Sequence, residues 1–334
     1  MIIGIAGTAK NTGKTTALAA LIRESSVRGL PVAVTGIGYD GEERDTITLL
    51  PKPRITLPAG AIATTSERCL TVSTAGWEIL HRTALFTPLG EVLILRITRP
   101  GMLVVAGPNS TSALQEVCGM MSQLAPGPVF VDGSLNRMAP MVIADSIVFA
   151  TGASRTTDLT RLAEETAALE AIFSYPRGDL SGDDLDPVVS EALYDGAEAD
   201  ALLVRSSGRP IKIRGLIALD ALRRIAEEKP PVPDLEFHDP LKILLTGDPV
   251  RTGMCLDRIR RRGTRITYAV KPALVSIIAN PYYPAYHGAT YSAAFLPAGE
   301  LLHALRIRLH TPVTDIVQEG AGELLDRLLS RHAA

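Results

Sequence analysis

The chain has 334 residues, 46% hydrophobic and 21% charged, with a formal net charge of −2. That balance argues against disorder and leaves room for two domains, and so small a charge draws the protein to neither nucleic acid nor a membrane surface. The three cysteines, Cys69, Cys118 and Cys255, are widely spaced and suit buried thiols in a reducing compartment better than a disulfide frame or a zinc site. Mean hydropathy is +0.18, yet no apolar run approaches the roughly 18 residues of a membrane span. A first strand that runs straight into a functional loop leaves no place for a cleavable leader, and the expectation is a cytoplasmic protein.

In chain order, Ile2–Ala6 reads as a short apolar strand, Gly7–Gly13 as a glycine-bounded polar loop, and Ala17–Arg28 as a helix entered through Lys14, Thr15 and Thr16. Strand, glycine loop and Gly-Lys-Thr at a helix start form the P-loop arrangement. Its chemistry calls for these residue types. Backbone N–H groups from Gly7, Thr8, Asn11, Thr12 and Gly13 to Thr16 are expected to cradle phosphate oxygens. Lys14 is expected to act on the β/γ-phosphates, and the Thr15 hydroxyl to complete a Mg²⁺ site. The common spacing places four residues between the first glycine and Gly-Lys. Here Thr8 stands at that position and Gly7 comes one residue earlier, a spacing that resembles the loop of dethiobiotin synthetase and its relatives. The plain alternative is a strand-to-helix turn that happens to carry Gly-Lys-Thr.

A second strand, Pro31–Ile37, leads to an acidic loop with Asp40, Glu42, Glu43 and Asp45. In a doubly wound sheet ligands sit at the carboxyl ends of strands. Asp40, nearest the strand end, is therefore the candidate for a second Mg²⁺ contact or for orienting an attacking water; a solvated acidic loop accounts for the same residues. From about 54 to 98, short β-branched segments separated by Pro and Gly predict a β-rich excursion (55–57, 61–64, 70–73, 92–97). Met102–Ala106 reads as a core strand, followed by a helix over 112–123 capped from among Ser110, Thr111 and Ser112. Pro128–Asp132 is an apolar strand ending in an acid, the Walker B pattern, with Asp132 expected at the metal. Arg137, in the next loop, is either a phosphate contact or a surface residue. Ala144–Ala150 is a further strand, and Thr151–Ser154 at its end occupies a position that approaches the nucleotide base in related folds. No Asn-Lys-x-Asp motif occurs, which favours ATP over GTP. A helix over 158–172 closes the first half.

A turn-rich, acidic stretch at 174–187 suggests a boundary, giving a nucleotide-binding domain over 1–175 and a second, smaller α/β domain over 188–334. Expected there are strands at 210–214, 242–246, 265–270 and 274–279, helices at 216–228, 250–262, 301–309 and 321–329, and a linker at 230–233. The basic helix end at Arg258, Arg260, Arg261 and Arg262 suits a helix C-terminus. Asn280–His287 reads as a Pro- and Tyr-rich loop, either a partner surface or a rigid turn. The fold class expected is α/β, a P-loop protein with a mostly parallel, doubly wound sheet.

Four segments, IAGTAKNTGKTT, TGIGYDGEERD, VDGSLNR and IVFATGAS, together resemble the P-loop component of the reactivating factor for lysine 5,6-aminomutase, an adenosylcobalamin enzyme. The resemblance covers the first half of the chain and continues more loosely to its end. It implies a cytoplasmic Mg²⁺-dependent ATPase that helps remove damaged cobalamin from an aminomutase beside a MutS-like partner subunit, with homo-oligomerisation open. Two other classes remain: an ATP-dependent kinase or ligase of dethiobiotin-synthetase type acting on a small carboxylate, and a regulatory module that binds ATP without turnover. A switch hydrolyses slowly alone and faster with its client, whereas a ligase needs its acceptor.

Overall fold

The computed structural model describes residues 1–38, 55–133, 139–178, 180, 186–288 and 290–331. The chain is mixed α/β and divides into two compact units, one of Met1–Leu162 with Leu274–Ala334 and the other of Ala163–Ala273.

The first unit begins with β1 (Ile2–Gly7), the loop, α1 (Lys14–Val27) and β2 (Ala33–Gly36). Ile3, Ile5 and Ala6 are fully buried, as expected of a parallel strand covered on both faces. Gly29, with φ +67, takes the left-handed position that ends α1. Then follow β3 (Thr56–Leu57), β4 (Ile62–Ser66), β5 (Gly76–Thr87), β6 (Gly90–Arg99), β7 (Gly101–Met102), α2 (Thr111–Leu124), β8 (Val129–Asp132) and β9 (Ser146–Gly152). The Ser110 hydroxyl caps α2 by accepting the Ala113 N–H. Helix α3 (Leu159–Ser174) leads into the second unit.

That unit is a four-stranded parallel sheet of β10 (Val188–Ser190), β11 (Ile211–Ile213), β12 (Asp234–Phe237) and β13 (Arg265–Tyr268) in sequential order. Helices α4 (Gly196–Ser206), α5 (Leu219–Glu227), α6 (Pro240–Leu244) and α7 (Pro249–Arg261) connect its strands. Ile211, Ile213, Leu235, Phe237, Ile266 and Tyr268 bury one sheet face; Lys212 and Glu236 lie on the other as an ion pair, 2.7 Å apart.

The chain then returns to the first unit with β14 (Ala273–Asn280), β15 (Tyr282–Tyr286), β16 (Tyr291–Phe295), α8 (Ala298–Arg306), β17 (Val313–Thr314) and α9 (Gly322–Ser330). The completed sheet has nine strands in the order β17-β14-β9-β1-β8-β2-β4-β6-β5. Its centre is parallel, with Ile5 and Gly36 both level with Asp132 and Gly7 level with Ala150. The carboxyl ends of these strands therefore meet along one edge.

Several expectations need correction. The β-rich region is no excursion: β4, β6 and β5 continue the main sheet, the last two antiparallel. Residues 70–72 fall in a 3₁₀ turn, Glu67–Val72, and Ser73 leaves it in extended conformation. Of the strand expected at 102–106, Met102 pairs with β3 and Ala106 makes an isolated bridge, its N–H donating to the Thr64 carbonyl. Residues 242–246 begin inside α6, because Asp239 accepts the Lys242 N–H and Pro240 supplies a preset first turn. The expected loop at Asn280–His287 contains β15. The expected second domain, 188–334, differs from the compact unit Ala163–Ala273, because β14 and β17 join the first sheet. Among the described residues no helix is long and apolar enough to cross a membrane.

Candidate functional site

The loop between β1 and α1 sits at the shared carboxyl edge. Its entry is pinned to β9: the Thr8 N–H donates to the Ala150 carbonyl at 2.9 Å, and the Thr8 hydroxyl to Thr151 Oγ1 at 2.8 Å. Thr12 Oγ1 donates back to the Ala9 carbonyl at 3.0 Å. This folds the loop over Gly7, where an added Cβ would stand 2.6 Å from Thr12 Oγ1, so a side chain there would push the loop off the strand. Asn11 (φ 62) and Gly13 (φ 91) take left-handed conformations, which turn the chain so that α1 starts immediately after Gly13.

No side chain caps α1. Its first-turn N–H groups have no intrahelical partner and carry the positive end of the helix dipole. Thr15 and Thr16 are half-buried in that turn. Lys14 places Nζ 2.8 Å from Asp132 Oδ1, with side chains only 13% and 11% exposed. The contact is an ion pair without hydrogen-bond alignment. The structure thus brings together the loop lysine and the acidic end of β8, two candidates far apart in sequence.

A third strand end contributes a residue to which no role in the site was given in advance. Asn280, the last residue of β14, donates from Nδ2 to the Asn11 carbonyl at 2.9 Å, and its Oδ1 accepts the Tyr282 N–H at 3.3 Å. Its side chain lies against Gly13, where an added Cβ would be 3.1 Å away. Ser154 Oγ lies within hydrogen-bonding distance of two carbonyls, Asn11 at 3.1 Å and Tyr282 at 2.9 Å. Thr151–Ser154, expected near a base, thus buttresses the loop. The available signal for Asn280 was its position: a polar side chain ending the apolar run of β14, where site residues collect in such sheets.

Asp40, Glu42, Glu43, Asp45 and Arg137 lie outside the described residues. Among the described residues no group of three or more His, Cys, Asp or Glu side chains could hold a metal ion. One carboxylate and one hydroxyl, Asp132 and Thr15, still fit Mg²⁺ chemistry. That ion keeps several waters and takes one or two carboxylates together with phosphate oxygens. The uncapped helix start and the left-handed loop likewise fit a phosphate chain. Comparison of the chain with family models, with curated proteins and with solved structures found no match.

Proposed function

We propose that the chain is a P-loop protein that binds and hydrolyses a nucleoside triphosphate, ATP in preference to GTP, with Mg²⁺, and that it works as a switch. The observation that carries this reading is the Lys14–Asp132 pair beside the uncapped start of α1. A cation and an anion are stored at one strand edge, next to backbone donors that have no partner in their own helix. The N–H groups of the first turn bind the phosphate oxygens, and Lys14 exchanges Asp132 for the outer phosphates. Asp132, once released, and the Thr15 hydroxyl hold the metal side of the site. Mg²⁺, when bound, neutralises charge on the phosphates. Asp40 orients the attacking water from the loop after β2. Nucleotide binding and hydrolysis give the two states that a client distinguishes.

The client is the adenosylcobalamin-dependent aminomutase implied by the four resembling segments, with a MutS-like subunit as partner. Calorimetric titration of wild type and Lys14→Ala with ATP or GTP, each with Mg²⁺, tests the nucleotide step. Removing Lys14 takes away a charged hydrogen bond worth about 1.5–3 kcal/mol, so affinity should fall roughly tenfold to a hundredfold. Folded wild type that binds neither nucleotide would sink the reading. ATPase rates with and without the aminomutase then separate a switch from an enzyme that needs a small acceptor.

A further inference from the structure

Strands β15 and β16 form a two-stranded antiparallel ribbon of their own, with Tyr282 opposite Phe295, Pro284 opposite Ala293 and Tyr286 opposite Tyr291. The two ends of the ladder define its hydrogen-bond pattern. His287 N–H donates to the Thr290 carbonyl, and Leu296 N–H to the Pro281 carbonyl, each at 2.9 Å. In an antiparallel pair, hydrogen-bonded and non-hydrogen-bonded positions alternate. Positions 281, 283, 285 and 287 therefore bond across the ribbon, and positions 282, 284 and 286 do not. It follows that Tyr291, Ala293 and Phe295 direct their N–H and C=O groups away from β15. No strand among the described residues lies beyond them.

The two edges of the ribbon differ. On β15 the middle outward donor is missing, because Pro284 has no N–H; a proline at that place is a common guard against strand addition. On β16 the outward donors are complete. No Asp, Glu, Lys or Arg occurs from Pro281 to Gly299, so the usual charged guard is missing as well. One face of the ribbon is aromatic, with Tyr282 and Phe295 ring centroids 5.7 Å apart and those of Tyr286 and Tyr291 5.2 Å apart. Phe295 is 65% exposed.

We propose that β16 is the edge through which two copies of this chain associate, antiparallel about a two-fold axis at Ala293. The occupant follows from the strand's own pattern, Tyr291-Ser292-Ala293-Ala294-Phe295, which is aromatic at both ends and small between. With Ala293 on the axis, Tyr291 of one copy faces Phe295 of the other, twice, and Ser292 faces Ala294. The three outward-facing residues of each copy meet as hydrogen-bonding pairs, and no like charges are opposed. A two-fold interface requires such self-complementarity, and a partner with a charged strand would have nothing to pair with. A five-residue edge falls well short of the about 1,200 Å² typical of stable interfaces, so the dimer belongs to the weak, concentration-dependent class.

Sedimentation velocity on the full chain, up to several hundred micromolar, tests this with Ala293→Lys and Ala293→Glu. On the axis each substitution meets itself, and like charges directly opposite destabilise a strand pair. The expected result has three parts. Wild type rises from its monomer mass of 35.6 kDa toward twice that value, each variant alone stays monomeric, and an equimolar mixture of the two recovers the dimer. A misfolded variant would not be rescued by mixing. A wild type that is monomeric throughout, a dimer that survives both substitutions, or a mixture that fails to recover would each overturn the proposal. A monomer that takes a strand from a different protein on this edge would overturn it too.

Discussion

Lys14 and Asp132 hold opposite charges 2.8 Å apart with little of either side chain in solvent. At an effective dielectric near 20 their attraction is about 6 kcal/mol, which the desolvation of two ions largely offsets. The pair therefore adds little net stability, while losing Asp132 leaves the Lys14 ammonium without the opposite charge it faces here. Asp132→Asn should lower the urea-unfolding free energy of the nucleotide-free protein by about 2–3 kcal/mol, less than a wholly buried pair because both groups reach water. Adding Lys14→Ala to that variant should recover part of the loss. A double variant whose cost equals the sum of the two single costs would show that the pair is not coupled. In the sequence, both residues were legible as candidates, Lys14 from Gly-Lys-Thr and Asp132 from the acid closing an apolar strand. Their contact was not, because it depends on β1 and β8 lying side by side.

At the scale of elements, the loop keeps its shape because the ends of β9 and β14 close on it. Gly152 comes so near Asn280 that an added Cβ would sit 1.9 Å from the Asn280 carbonyl oxygen. Gly152→Ala must therefore drive the strand ends apart and move the amide that holds Asn11. Asn280→Ala removes the same hold without the clash. Both should weaken ATP binding by calorimetry, the alanine at 280 by about tenfold, as expected for one or two lost hydrogen bonds. Gly152→Ala should also cost on the order of 1–3 kcal/mol of stability from overpacking. Unchanged affinity in Asn280→Ala would mean that the loop holds its shape unaided. Helix and strand type were readable wherever periodicity was long, as in α1, α2, α3 and α7. They were misread where capping overrode it: Lys242–Leu244 is apolar enough for a strand, but Asp239-Pro240 starts a helix. For a related reason Tyr282–Tyr286 does not read as a strand: Pro281 before it and Pro284 within it suggest a turn, although Pro284 occupies a position that needs no donor.

For the molecule as a whole, the first unit is discontinuous. The chain leaves it in α3, builds the second sheet, and returns to add β14 and β17 to the first. A chain ending at Pro272 would lose β14, β17, α8 and α9, together with Asn280. It should expose the buried flank of β9, lose cooperative thermal unfolding of the first unit and bind no ATP. A soluble truncated protein that unfolds cooperatively with native nucleotide affinity would contradict this architecture. A boundary at 188 would have allowed such a truncation, because the alternation of strands and helices continues past residue 273 with no composition shift like that at 174–187 to mark the return to the first unit.

The α/β class, the apolar strand that opens the chain, the glycine loop at a helix start and the acidic tip of β8 are all legible in the residues alone. These follow from local rules: apolar period, glycine where the backbone turns left-handed, a polar residue where a strand ends. The order of the nine strands, the return of β14 to the first sheet, the Lys14–Asp132 contact and the hold of Asn280 and Ser154 on Asn11 emerge only on packing. Those depend on which strands become neighbours. Burial of apolar faces drives that choice, and burial is non-directional, so the same apolar runs are compatible with many strand orders. Only the packed chain shows which polar ends arrive at one edge.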